Sequence, residues 1–371
     1  MRRGIVYKGE QHSEQQSCAF PGICVLPSGR WICSFRAAPQ KLQTRGQHVL
    51  ITWSDDQGTT WSEPIKPFEP PVLEGKPGLF RSAYLTSLGD NTCIAALCWV
   101  DHTDPELPFF NEATEGLLDT KIFLARSDDG GEHWTAAERM DTSPFHMPTP
   151  LTGPILHLTN GELACQFELN KHYEDPEVWK HSSVLMFSKD EGQSWQEHVI
   201  TSNDPANRVF YWDQRPNTLL DGTLLNFFWT YDNVSADYLN IHSRSSNNYG
   251  RTWSAYRDIG VPGQPAPPVL LTNGRIALVY VDRTSAPTIK LRISGDGGHT
   301  WPEPTEIILY KPELQQQSVD KMSMQDAWSE MGNFSVGLPT TARLADGSVL
   351  VVYYAGSQTD HTAIEWVCIP Q

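Results

Sequence analysis

The sequence has no uninterrupted apolar stretch of the roughly 18 residues that a membrane-crossing helix needs. Its first ten residues, Met1 to Glu10, hold two arginines but no apolar run of signal-peptide kind. The chain therefore reads as cytoplasmic, or as a mature secreted form already trimmed. Basic residues are also few, 28 Lys and Arg against 44 Asp and Glu, a formal net charge of -16. That balance speaks against general binding to nucleic acid or to an anionic membrane, although a local basic pocket can exist within it. Cysteine is present in an odd number, seven, without Cys-x-x-Cys spacing, and Cys24, Cys33, Cys93, Cys98, Cys165 and Cys368 lie within apolar runs. Buried free thiols are expected, not disulfides, metal ligands or a nucleophile.

What is present is a repeat. The stretch Ser294-Gly-Asp-Gly-Gly-His-Thr-Trp301 has four further copies, at Ser54 to Trp61, Ser127 to Trp134, Ser188 to Trp195 and Ser246 to Trp253, the last with Asn248 in place of the acid. Their starts are 73, 61, 58 and 48 residues apart. A turn signature recurring at roughly 40 to 60 residues marks a propeller or array. In such a turn the carboxylate accepts backbone N–H groups, the glycine takes positive φ, and the tryptophan packs between sheets. With one acid per copy, where a calcium loop needs several oxygens, the turns are expected to be structural.

A second repeat, two apolar runs around a tight polar turn, predicts six β-hairpins. The turns are Ser28-Gly29, Gly89-Asp90, Asn160-Gly161, Asp221-Gly222, Asn273-Gly274 and Asp346-Gly347. After each of the first five comes an alternating strand, a Trp-containing turn and a fourth short strand, which makes one four-stranded antiparallel blade. The expectation is all-β: a single domain, a six-bladed β-propeller with blades at about 18–72, 78–142, 150–202, 210–260, 264–310 and 338–371. The segment 4–8 supplies the missing outer strand and closes the ring, which removes an exposed edge. Strand alternation places the long insertions, 102–119, 170–181 and 311–337, at one end, the last with a short helix at Met322 to Met331. Function is expected there.

Five such turns on six blades resemble the sialidase (neuraminidase) superfamily over nearly the whole chain. The resemblance implies exo-acting glycosidase chemistry on a sugar. It also implies an Arg-Ile-Pro arginine, two more carboxylate-gripping arginines, a Tyr–Glu nucleophile pair and an acid/base Asp. Counted from the hairpin turns, the matching positions hold Ala19, Asp213, Trp229 and Leu338, and neither Gly260 to Pro268 nor the 36–47 loop supplies the third arginine or the acid. Only the carboxylate at position 213 is kept, so ordinary sialidase activity is not expected.

The same mouth offers other polar groups. Arg81 stands nine residues before Asp90, and Arg36, Glu168, Trp229 and Arg283 lie at the ends of second strands. Asp101 and His172 lie just beyond such ends, and Arg215 and Gln264 precede inner strands. Carboxylates, arginines and tryptophan platforms around one axial pocket suit a sugar. Asp213 and Glu168 are the acid/base candidates, because charged residues ending apolar strands are rarely tolerated without a partner or a role. Arg81, Arg36, Arg215, Arg283, Trp229, Gln264, His172 and Asp101 are the substrate-binding candidates, though Arg36 or Arg283 could instead pair with an inter-blade acid and His172 could simply be solvated. No metal or cofactor is expected; the partner is a small-molecule or oligosaccharide substrate. The leading reading is a glycoside hydrolase on a terminal, possibly acidic, sugar. The alternatives are a polysaccharide lyase using His172 or Tyr211 as base, and a non-catalytic glycan-binding propeller.

Overall fold

The computed structural model describes residues 1–42, 44–219, 222–312 and 323–370. Asp221 of the fourth hairpin turn, Met322 of the expected helix and part of the 311–337 insertion lie outside the described residues. The fold is all-β with a propeller arrangement, and the hydrogen-bond ladders divide it into five sheets. Four stand apart as blade-like units, each beginning with its innermost strand or strand segment: Gly78–Gly89, Leu156–His157, Val209–Thr218 and Gln264–Pro265. The fifth has seven strands. It joins Val336–Arg343, Val349–Gln358 and His361–Ile369 to Ser17–Val25, Trp31–Ala38 and His48–Ser54, with Arg2–Lys8 added on His361–Ile369.

Six separate four-stranded sheets are therefore not what the ladders show, and the reasons are local. The seven-stranded sheet is continuous through one parallel pair, Ser17 with Thr362, which the Thr362 hydroxyl reinforces by accepting the Cys18 N–H at 2.9 Å. The fourth strand expected near residue 65 is a single bridge, Ile51 to Ile65. Prolines, which lack a donor and fix φ, break two innermost strands: Gln264–Pro265 and Val269–Leu270 flank Pro267 and Pro268, and around Pro148, Pro150 and Pro154 the pairing is reduced to Leu156–His157 and a single bridge, Leu151 to Phe167. The N-terminal strand behaves as expected, pairing antiparallel with the last strand from Arg2 opposite Cys368 to Lys8 opposite Ala363.

The apolar faces of neighbouring sheets pack on each other. One core combines Ile94, Cys98 and Ile122 with Cys165, Val184 and Met186. Another sets Trp31, Phe35 and Leu50 against Val352, Ile364 and Trp366, across the two halves of the seven-stranded sheet. All seven cysteines are free and buried.

The five eight-residue turns are self-contained networks. In the last, Asp296 Oδ1 accepts the Thr300 N–H at 2.9 Å and the Ser294 hydroxyl at 2.7 Å, Oδ2 accepts the Thr300 hydroxyl at 2.6 Å, and Ser294 Oγ accepts the Gly298 N–H at 2.9 Å. Gly298 has φ 89°, the left-handed state glycine adopts without steric penalty. Trp301 then packs edge-on against Phe227 of the preceding sheet, ring centres 5.6 Å apart.

The insertion between the Gln264–Pro265 sheet and the strand Val336–Arg343 forms, among the described residues, the helix Met324–Gly332, which starts two residues later than expected. Ser323 caps its start by accepting the Asp326 N–H at 3.2 Å. At its other end the Lys41 ammonium donates to the carbonyls of Met331, at 2.7 Å, and Phe334, where the helix dipole favours a cation. Trp328 stacks on Phe110 of the 102–119 insertion at 4.3 Å, which sets the helix over the centre of the ring.

Candidate functional site

Four innermost strands carry a β-bulge, between Ala19 and Gly22, Phe80 and Ser82, Trp212 and Arg215, and Gly337 and Thr340. A bulge inserts an extra residue, bends the strand and re-aims a side chain. The extra residues include Phe20, Arg81, Asp213 and Leu338, and all four line one cavity of about 440 Å³ at the mouth of the propeller. Phe20, Asp213 and Leu338 hold φ of 52°, 50° and 47°. A non-glycine residue in that state costs on the order of 1 to 3 kcal/mol and persists where surrounding structure holds it. In the strand Ser17–Val25 the bulged residue is Phe20, one position after Ala19, so the position where the resemblance looks for an arginine is apolar on either count.

The Asp213 backbone N–H donates to Glu168 Oε1 at 2.6 Å, so the Glu168 carboxylate reaches the backbone of the other candidate across adjacent sheets. Asp213 Oδ2 accepts the Gln264 amide at 2.6 Å, and Oδ1 lies 3.5 Å from Arg215 Nη2. Gln264 Oε1 in turn accepts from Arg283 at 3.0 Å, a continuous polar chain through three sheets. The Asp213 side chain is 27% exposed and that of Glu168 11%, which makes Asp213 the one more open to a ligand.

Five cations line the cavity, Arg36, Lys41, Arg81, Arg215 and Arg283, against three carboxylates, Glu112, Glu168 and Asp213. In a chain with net charge -16 this is a local reversal of sign. Burial, then repulsion from Arg283, Arg36 and Arg81, pushes Lys41 well below the ordinary lysine value; burial, then Arg81, pushes Arg36 down in the same sense. The cations thus crowd one another, and an entering anion would relieve them. Arg81 lies between the rings of Phe20 and Phe109, 5.0 and 4.1 Å from their centres, and makes no hydrogen bond or ion pair among the described residues. Arg215 and Arg283 are more committed: Arg215 donates to the Thr152 and Gln214 carbonyls, and Arg283 to the Val336 carbonyl while stacking on Phe334 at 3.6 Å. Arg36 is bonded to the Gln40 carbonyl at 3.0 Å.

Trp179, Trp212, Trp229 and Trp328 form an aromatic wall, Trp229 stacked on Tyr238 at 4.7 Å. Tyr84 and Tyr354 also reach the cavity, and burial drives the Tyr84 phenol up to about 12.

Two sequence candidates lie elsewhere. His172 is exposed and outside the cavity wall, because its backbone bridges Leu117 of the neighbouring insertion. Asp101 is also outside, its carboxylate occupied by Lys76 at 2.9 Å and by the Thr103 amide and hydroxyl. Tyr211, the other candidate base, stacks on Tyr256 at 4.0 Å and does not line the cavity. Conversely, Lys41, Phe20, Phe109, the helix residue Trp328 and Phe334 just beyond the helix belong to the site without having been singled out. A lysine inside a loop that follows an inner strand was the available signal for Lys41.

Fold and site together define a β-propeller with a cationic, aromatic-walled axial cavity. Residues 90–351 match the BNR repeat-like domain family, and the chain belongs to it; it is a sialidase-like BNR-repeat protein. It is 26% identical over 207 residues, 48% of this chain, to a sialidase of Micromonospora viridifaciens, and the match spans about a third of that relative's length, 31%. Among solved structures, a protein of unknown function from Dyadobacter fermentans superposes with a TM-score of 0.74 at 20% identity, covering 100% of this chain and 98% of that one. A leech intramolecular trans-sialidase in complex with 2,7-anhydro-Neu5Ac gives 0.63 at 13%, covering 100% and 70%. At these identities the structural likeness concerns the fold.

Proposed function

We propose that the protein is a carbohydrate-active enzyme, an exo-acting glycoside hydrolase that takes a terminal acidic sugar. The observation that carries this reading is the cavity itself. One side has Arg81 without an ionic partner among crowded cations, and another has Asp213 held beside Glu168. An anionic substituent would be gripped by Arg81 with Arg36 and Arg283, and the ring faces by Trp229 and its neighbours. Asp213 and Glu168 act as the acid/base pair, with the more open Asp213 meeting the glycosidic oxygen. Arg215 stands beside one oxygen of Asp213, and Gln264 orients the other. Ala19, Trp229 and Leu338 at the family positions argue for a reaction other than ordinary sialoside hydrolysis.

The fold reading behind this is six blades, the seven-stranded sheet counting as two that share the Ser17–Thr362 pair. The packed core between its halves supports that count. The lyase alternative has lost its two candidate bases to positions outside the cavity wall. A defined glycan panel tests the proposal: a hydrolase consumes water and releases a saturated sugar, a lyase leaves an unsaturated product absorbing in the ultraviolet, and a binding protein changes nothing.

A further inference from the structure

His181 ends the 170–181 insertion, directly before the strand Ser182–Ser188. Its side chain is 1% exposed and boxed by Trp179 and Phe210, ring centres 5.5 and 5.8 Å away. Neither ring nitrogen has a hydrogen-bond partner among the described residues. Its Nε2 lies 3.5 Å from Glu168 Oε2, while the other Glu168 oxygen accepts the Asp213 amide. A carboxylate held at one oxygen can still swing about its last bond; a second contact at the other oxygen stops it. Groups that orient a working residue from behind in this way are what fix a site's geometry.

We propose that His181 is a positioning residue. By holding Glu168 Oε2 it keeps Oε1 on the Asp213 amide, and so maintains the left-handed bulge that sets the Asp213 carboxylate in the cavity. The inference rests on Asp213 as the reactive carboxylate, but its structural half can be read without any turnover.

The experiment is a double-mutant cycle in the full chain: His181→Phe, which fills the aromatic box, Glu168→Gln, and both together. Hydrogen exchange at the Asp213 amide is followed by NMR beside kcat and KM. His181→Phe should speed exchange by about tenfold, within the range for residues coupled in one network, and lower kcat similarly with little change in KM. In the Glu168→Gln background the same substitution should change neither. His181→Asn, which keeps an N–H donor, should recover part of the loss, and it carries the exchange measurement if the phenylalanine variant does not fold. Unchanged exchange in His181→Phe, or an equal effect with and without Glu168, overturns the inference. Absence of turnover on every glycan would overturn the proposed activity and leave the exchange result to decide the role of His181.

Discussion

The backbone N–H of Asp213 donates to Glu168 Oε1 at 2.6 Å, one sheet reaching into the bulge of the next. A carboxylate on one second strand thereby stabilises a left-handed residue, φ 50°, on the neighbouring innermost strand. Neither residue could adopt its position in an isolated hairpin; the site is a product of the packed ring.

If this pair does the acid/base work, Asp213→Asn and Glu168→Gln should each lower turnover by at least about 10²-fold, the usual scale for a lost acid or base. Both variants keep side-chain volume, and thermal unfolding should show them folded. Near-normal turnover in either would remove that residue from the assignment.

Arg81→Gln should raise KM for an acidic sugar by roughly 10- to 100-fold, the worth of a charge-assisted hydrogen-bond set. It should leave KM for a neutral analogue nearly unchanged. Because Arg81 has no ionic or hydrogen-bonding partner among the described residues and rests on the rings of Phe20 and Phe109, its loss should lower the melting temperature only slightly. A matching loss on acidic and neutral substrates would show that Arg81 packs the wall and does not read charge.

The eight-residue turns should matter to stability alone. Asp190 is pushed down to about 2, first by the Ser194 hydroxyl and then by the Ser194 amide. A carboxyl with a lowered folded-state pKa stabilises the fold above its ordinary value of 3.8, and that contribution disappears as pH falls toward 2. Asp190→Asn should therefore melt below the parent at neutral pH, the gap should close across that acid window, and activity per folded molecule should hold. Melting curves from pH 7 to 2 check this.

Much of the frame was legible in the sequence because its signals are local. The eight-residue turns, the hairpin turns and the unpaired N-terminal segment each announce themselves within ten residues. The bulged positions could be reached by counting from the turns, which found Arg81, Asp213 and Leu338 but missed Phe20 by one, because it stands eight residues before Ser28 and the count there was nine. What could not be read were contacts between insertions. His172 and Asp101 were placed by proximity to strand ends, yet a bridge to Leu117 and an ion pair with Lys76 hold them outside the wall. Lys41 enters because the helix Met324–Gly332 ends above it, and His181 because Trp179 and Phe210 close over it. No spacing rule in one chain predicts those meetings.

Removing residues 2–8 should expose the edge of the last strand and lower the melting temperature of the whole ring, since that segment pairs with it from end to end. Unfolding should stay a single transition, which calorimetry would show. An unchanged melting profile would mean that the ring does not depend on this closure.

The most direct measurement is product analysis on a panel of glycans with terminal acidic sugars, run with the parent protein and Asp213→Asn side by side. Release of a saturated terminal sugar by the parent, suppressed at least about 10²-fold in the variant, is the predicted result. An unsaturated, ultraviolet-absorbing product, equal release by both proteins, or no release from any glycan would contradict it.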